Sequence, residues 1–140
     1  LLRPDLIQLH GSESPDFCRL IKKMTGIPIM KTIQIKSEND LTLTKKYIGL
    51  VDKILFDAKV TDDKLKGKKS AAFDWKVLQK VAIKTDWMLA GGLNPNNIQK
   101  AIKITKTNAV DVSSGVERLP GAKCPHLIND FINKANNMIM

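Results

Sequence analysis

Two turns near the end of the sequence have the composition of an anion-binding site. Gly91-Gly92 follows the apolar string at 87–90, and Ser113-Ser114-Gly115 follows a second apolar string at 109–112. Adjacent glycines let backbone N–H groups approach an anion closely, and serine adds hydroxyl donors. Gly91-Gly92 alone would fit an ordinary strand-to-helix turn equally well. The two turns together predict a phosphate site.

A carboxyl group and an imidazole are the candidates for proton transfer. Asp57 ends the most apolar string of the chain, at 53–57. Burial disfavours an ionised carboxylate and so suits this group to act as a general acid, although an aspartate here could also cap a helix or order a loop. His10 follows the apolar string at 5–9 and fits proton transfer and a structural hydrogen bond equally well.

These residues stand at the ends of short apolar strings that alternate with amphipathic stretches. The pattern predicts five strands, at 5–9, 28–33, 53–57, 87–90 and 109–112. It also predicts five helices. The first is capped by Ser14 and ends at Gly26, and the fourth begins at Asn94; the others lie at 38–48, which is the weakest, at 74–83 and at 124–136. A polar loop is predicted at 59–70.

Alternating strands and helices predict a parallel sheet with right-handed crossovers. Two architectures fit, namely a complete five-stranded doubly wound sheet and five units of an eight-unit barrel. At roughly 30 residues for each strand–helix unit, the 140 residues are enough for five. In both architectures ligands bind at the carboxyl ends of the strands. Phosphate turns on the last two units match the site that barrels build after strands 7 and 8.

The composition excludes several classes of protein. The apolar share of 43% and the charged share of 26% are those of a globular protein, and no apolar run or secretory signal stands out, so we expect a cytoplasmic protein without membrane association. The net charge of +9 comes mostly from lysines at helical spacing, and aromatics are few, which predicts a solvated surface and no nucleic-acid partner.

Cys18 and Cys124 fall on predicted helices, so neither is a candidate nucleophile, and no metal site is expected. The first residue is Leu1, from which we expect a fragment.

Several strings resemble the phosphoribosylanthranilate isomerase family, and they occur in that family's order. They are QLHG at 8–11 with Ser14-Pro15, LFDAK at 55–59, FDW at 73–75, LAGGLNP at 89–95, VDVSSGVE at 110–117 and Pro120-Gly121. The combination of AGGLNP with VDVSSGVE is specific to this family, whereas neither string would be so alone.

The resemblance implies that residues 1–140 form strands 4 to 8 of a (β/α)8 TIM barrel, the C-terminal part of such an enzyme. The family carries out an Amadori rearrangement in tryptophan biosynthesis, from an aldose amine to a ketose amine, without metal or cofactor. By motif match, Asp57 is the general acid, and His10 and Asp111 line the substrate cavity. The residues that would bind the substrate phosphate are Gly91, Gly92, Ser113, Ser114 and Gly115.

The chain departs from the family pattern in two ways. The family's base is a cysteine in a Lys-x-Cys-Gly string after strand 1, and an arginine after strand 2 binds the anthranilate carboxylate. Neither of these two strands is in this sequence. We therefore expect the isolated chain to be inactive and to self-associate through open barrel edges. The segment 59–73 carries Gly67 among lysines where the family has a glycine-rich closing loop.

Two alternatives remain open at this stage. One is a non-catalytic phosphate-binding remnant of the enzyme. The other is a different sugar-phosphate barrel, such as an epimerase or a thiamine-phosphate synthase, which the VDVSSGVE string disfavours.

Overall fold

A sheet of four parallel strands forms the centre of the chain in the computed structural model, which describes residues 3–58 and 74–139. Neighbouring strands follow one another in chain order: β1 (Ile7–Leu9), β2 (Ile29–Gln34), β3 (Lys53–Asp57) and β4 (Asp86–Ala90). Asp57 pairs with Gln34 on one side and Ala90 on the other. The carboxyl ends of the three longer strands are therefore level.

The strand order decides between the two predicted architectures. A doubly wound sheet reverses direction at a switch point, where two sequential strands are not neighbours. Here every strand lies beside its successor, as in an arc of a barrel wall. The predicted α/β fold with successive parallel strands is confirmed, and the described residues form an open arc rather than a closed barrel.

The predicted fifth strand at 109–112 is reduced to a single bridge. Val110 pairs in parallel with Leu89 of β4. The Leu89 N–H donates to the Ala109 carbonyl at 3.0 Å, and the Asp111 N–H donates to the Leu89 carbonyl at 2.8 Å. The segment lies beside the predicted neighbour, but the backbone leaves the extended conformation at Ser113, where ψ is −89°, and this ends the pairing.

Helices cover one face of the sheet. The predicted first helix is confirmed as α1 (Pro15–Thr25), where the Phe17 N–H donates to the Ser14 hydroxyl and Gly26 ends the helix with φ 66°. The last predicted helix is confirmed and longer, as α4 (Pro125–Ile139). No helix in the described parts of the chain is long and apolar enough to cross a membrane.

Three predicted helices differ from their observed form. The 38–48 stretch contains a 3₁₀ turn (Glu38–Asp40) and the short α2 (Leu41–Thr44), and the 74–83 stretch contains a 3₁₀ helix (Trp75–Lys80). The helix predicted to open at Asn94 begins later, as α3 (Ile98–Thr105), because residues 94–97 form a turn held by their own side chains. The loop predicted at 59–70 lies outside the described residues.

A two-stranded antiparallel hairpin follows the second candidate phosphate turn. It consists of β5 (Glu117–Leu119) and β6 (Ala122–Lys123), joined at Pro120-Gly121. Periodicity in the sequence does not predict this hairpin, because strands of two and three residues are too short to show alternation. Proline followed by glycine was the available signal for a turn.

Alternation along the strands separates two apolar clusters. In β3, Ile54 and Phe56 are fully buried in the main core against the helices. Leu55 belongs to a smaller cluster with Met30 and Ala90 on the opposite face. Because successive side chains of a strand point to opposite faces, Asp57 points to the same face as Leu55, the inner face of the arc.

Candidate active site

All eight residues that the sequence nominated line one cavity of about 160 Å³. It lies where the parallel strands end, and β3 and β4 stop at Asp57 and Ala90. The nominated residues that line it are His10, Asp57, Gly91, Gly92, Asp111, Ser113, Ser114 and Gly115. The structure therefore brings together the two turns, the carboxyl group and the imidazole.

Asp57 and His10 face each other inside this cavity. The Asp57 side chain is 11% exposed, and its Oδ2 lies 3.6 Å from His10 Nε2. The Gln8 amide nitrogen lies 3.3 Å from His10 Nδ1 and donates to the Thr32 hydroxyl at 3.1 Å. An amide nitrogen only donates, so Nδ1 accepts, and the neutral ring carries its hydrogen on Nε2, which faces Asp57.

Gln8 and Thr32 were not predicted from the sequence as partners of the imidazole. The signal was present, because residues two positions apart in an extended segment point to the same side. Gln8 and Thr32 are polar residues on the inner face of the arc, where Gln8 pairs with Met30 and Thr32 pairs with Leu55.

Gly91 lets the first turn run directly against the Asp57 carboxyl group. Its φ is 97°, a conformation that residues with a side chain rarely adopt. A Cβ at this position would lie 2.6 Å from backbone atoms of Ala58 and 2.7 Å from Asp57 Oδ1. Only glycine allows the turn and the carboxyl group to share the cavity at this distance.

Gly115 brings the two turns into contact. A Cβ at this position would overlap the Leu93 carbonyl oxygen and lie 2.8 Å from the Leu93 carbonyl carbon. Leu93 directly follows Gly92, so the loop after β4 and the loop after the Val110 bridge pack backbone to backbone. The cavity depends on this close approach.

We predict that Gly115→Ala destabilises the protein by about 2 kcal/mol through overpacking and weakens binding of inorganic phosphate. Urea unfolding and calorimetric titration measure the two effects. Gly49→Ala is the matched control, because φ there is 80° and no atom lies within 4 Å of the added Cβ. It should cost about 1 kcal/mol of backbone strain and leave phosphate affinity unchanged. Equal phosphate affinity in both variants would contradict the role given to Gly115.

Asparagine side chains hold the first turn in place. The Asn97 amide donates to the Gly92 carbonyl at 2.9 Å, and its oxygen accepts the Asn94 N–H at 2.8 Å. The N–H groups of Gly92 and Ser114 donate to no other residue within the described ranges. Both residues line the cavity, where these groups are candidate donors to an anion.

A buried ion pair supports the turn that carries His10. Lys31 Nζ lies 3.1 Å from Glu13 Oε2, and the side chains are 3% and 22% exposed. The ammonium also donates to the carbonyls of Gly11 and Thr32, each at 2.8 Å, while the Glu13 carboxylate accepts the Gly11 N–H. Burial raises the pKa of Glu13, but hydrogen bonds and the Lys31 charge outweigh it and hold that pKa below its ordinary value.

This pair was not predicted from the sequence either, although a lysine in the middle of a largely apolar strand was a signal. A charge is buried only when it is paired and hydrogen-bonded. An acidic partner close in space was therefore to be expected.

The two cysteines are buried and lie outside the cavity. Burial raises the pKa of the Cys18 thiol, which keeps it protonated and weakly nucleophilic. Among the described residues, no three His, Cys, Asp or Glu side chains are grouped so that they could hold a metal ion.

The fold and the cavity define a protein of the (β/α)-barrel class with a candidate site at the carboxyl ends of its strands. The family model described as N-(5'phosphoribosyl)anthranilate (PRA) isomerase matches residues 1–134. The chain belongs to this family, as the sequence motifs predicted.

Individual relatives agree with the family match. The N-(5'-phosphoribosyl)anthranilate isomerase of Rhodopseudomonas palustris strain CGA009 is 46% identical over 135 residues, which are 96% of this chain and 63% of that protein. The crystal structure of the Thermotoga maritima phosphoribosyl anthranilate isomerase has a TM-score of 0.79 at 34% identity, covering 95% of this chain and 62% of that one.

A third relative was solved with a ligand. It is a phosphoribosyl anthranilate isomerase in complex with reduced 1-(o-carboxyphenylamino)-1-deoxyribulose 5-phosphate, with a TM-score of 0.74 at 32% identity, covering 95% of this chain and 60% of that one. The chain thus spans less than two thirds of the length of each of these relatives.

Proposed function

We propose that this chain supplies the phosphate-binding end and the general acid of an N-(5'-phosphoribosyl)anthranilate isomerase of tryptophan biosynthesis. The observation that carries the proposal is the convergence of Asp57, His10, Asp111 and the two turns on one cavity. The family match supports the reaction class, and the phosphorylated ligand of the third relative supports the class of substrate.

The proposed chemistry is an internal redistribution of protons. Asp57 protonates the furanose ring oxygen, which opens the sugar, and a base then removes the proton from C2 to convert the aldose amine to a ketose amine. Asp57 is buried at the end of β3 and lines the cavity, which would place its carboxyl group beside the bound sugar. In this proposal His10 orients the acid and the substrate through the Nε2 hydrogen that faces Asp57.

The phosphate group is proposed to lie between the two turns. Gly91 and Gly92 supply one side, and Ser113, Ser114 and Gly115 supply the other. The N–H groups of Gly92 and Ser114, which have no partner within the described ranges, would donate to the phosphate oxygens, and preformed donors of this kind bind anions without reorganisation. In this proposal Asp111, which lines the same cavity, contacts the sugar of the substrate.

We propose that residues 1–140 make up one domain, the C-terminal part of the barrel, and that they do not turn over substrate by themselves. They contain no Lys-x-Cys-Gly string. The family's base would have to come from the part of the relatives that this chain does not match. We further propose a cytoplasmic location, with which two buried free cysteines are compatible.

Self-association of the isolated chain is a related proposal. Within the described residues β1 pairs on one side only, and Val110 forms only a single bridge to β4. Unpaired strand edges pair readily with other chains. Size-exclusion chromatography should show a concentration-dependent oligomer, and a monomer at all concentrations would contradict the proposal.

The direct test of the proposed function is binding of the reduced deoxyribulose 5-phosphate analogue to the chain. Calorimetric titration should show one site per chain, for which inorganic phosphate competes. Ser114→Ala should weaken binding, whereas Ser37→Ala, at a serine outside the cavity, should not. No binding by the folded chain would overturn the proposal. Binding without turnover, even after the missing part is restored, would favour the non-catalytic alternative.

A further inference from the structure

The hairpin after the second turn carries an ion pair that does not belong to the set of residues nominated from the sequence. Glu117 of β5 and Lys123 of β6 are opposite one another in the ladder. Lys123 Nζ lies 2.6 Å from Glu117 Oε1, and the side chains are 46% and 15% exposed. The other Glu117 oxygen accepts the Gly121 N–H at 3.1 Å, which fixes the carboxylate within the hairpin.

The same ammonium group reaches the candidate phosphate turn. Lys123 Nζ donates to the Ser113 carbonyl at 2.9 Å and lies 3.2 Å from the Ser113 hydroxyl oxygen. A lysine ammonium has three donors and no acceptor, so the Ser113 hydroxyl must accept in this contact. Its own proton is then directed away from Lys123. Ser113 lines the cavity, where that proton can be donated to an anion.

We propose that Lys123 is a positioning residue, held by Glu117, that orients the Ser113 hydroxyl as a donor to the phosphate group of the ligand. The inference rests on the proposed function and deepens it. In this inference the hairpin orients the Ser113 hydroxyl, the donor of one hydrogen bond in the phosphate site, before the ligand binds.

The proposed effect of Lys123 acts through orientation of the Ser113 hydroxyl and does not need a long-range attraction between charges. Glu117 pairs with it at 2.6 Å, so the two opposite charges largely cancel at distances that are long compared with this separation. An effect through orientation should persist at high ionic strength. A long-range attraction between exposed charges should fade there, because salt screens it.

The test is calorimetric titration of the intact chain with inorganic phosphate, at low and high ionic strength. Lys123→Met should weaken phosphate binding roughly fivefold at both, the effect of one hydrogen bond. Lys134→Met is the matched control: it removes the same charge from a lysine that pairs with Asp130 on α4 outside the cavity. The control should bind phosphate as the unmodified chain does.

A double-mutant cycle separates positioning from general loosening of the loop. Ser113→Ala should weaken binding about as much as Lys123→Met, and the double variant should be no weaker than either, because both remove one hydrogen bond. Additive losses, an effect that disappears at high ionic strength, or unchanged binding by Lys123→Met would each overturn the inference. If Lys123→Met does not fold, Lys123→Ala replaces it in the same cycle, with the same expected losses. Failure of the unmodified folded chain to bind phosphate would instead overturn the proposed function and the inference with it.

Discussion

Asp57→Asn should lower kcat of the completed isomerase by about 10²- to 10⁴-fold, the usual contribution of a general acid. The completed isomerase is this chain joined to the part of the R. palustris relative that it does not match, referred to below as the joined protein. Asparagine has nearly the same shape as aspartic acid but has no carboxyl proton to give to the ring oxygen. The Michaelis constant should change little, because the phosphate contacts are intact.

Asp86→Asn is the control for this prediction. Asp86 is exposed and begins β4 at the end of the sheet opposite the cavity. The joined protein carrying it should keep its kcat, measured by the loss of phosphoribosylanthranilate over time. A kcat for Asp57→Asn within a few-fold of the unmodified joined protein would remove Asp57 from the role of acid.

Lys31→Met should destabilise the chain by about 3 kcal/mol, the cost of leaving one partner of a buried ion pair uncompensated. The Lys31 side chain is 3% exposed and contacts the Glu13 carboxylate and the carbonyls of Gly11 and Thr32. Methionine fills a similar volume but satisfies none of these groups. Urea unfolding followed by circular dichroism measures the change in the free energy of unfolding.

The exposed pair of Lys22 with Asp52 provides the matched control. Their side chains are 41% and 40% exposed, so Lys22→Met should cost less than about 1 kcal/mol. The double variant Lys31→Met with Glu13→Gln should be more stable than Lys31→Met alone, since it also removes the unpaired charge. Equal costs for the two lysine variants would show that the buried pair contributes no more than a surface pair.

The same pair should make stability depend on pH in the acid range. The pKa of Glu13 is lower in the folded chain than the ordinary value of a glutamate. Its contribution is therefore complete above that value and is lost as the pH falls through the folded pKa. Glu13→Gln should reduce the loss of stability on acidification, measured as urea midpoints over this range. An unchanged pH profile in this variant would contradict the assignment.

The sequence predicted the arrangement of the strands better than it predicted the helices between them. Apolar strings with Gly or Asp at their ends predicted β3 and β4 correctly. A buried strand is apolar along its length, and the residue types at its end differ from those within it, so both features are visible in the local sequence. The stretches 38–48 and 74–83 were predicted as single helices, and in their place the structure has 3₁₀ turns and the short α2. Periodicity indicates which face is apolar, but it does not show where local side-chain hydrogen bonds, such as those of Asp40, compete with a helix.

The candidate site was predicted as a set of residues but not as a network. Residues at the ends of neighbouring parallel strands converge for geometric reasons, so His10, Asp57 and the two turns could be expected in one place. The contacts of Lys31 with Glu13 and of Lys123 with Ser113 join residues whose spacing follows no periodic pattern. The long side chains of these lysines contact residues that become neighbours only when the backbone folds. The sequence therefore could not predict these contacts.

Turnover of phosphoribosylanthranilate by the joined protein, compared with the 140 residues alone, tests the central claim most directly. We predict that the joined protein converts the substrate and that the chain alone, although it binds the phosphorylated analogue, does not. A folded joined protein without activity would contradict the claim that this chain supplies the acid and the phosphate site of the isomerase. Turnover by the chain alone at the rate of the joined protein would contradict the claim that the base lies elsewhere.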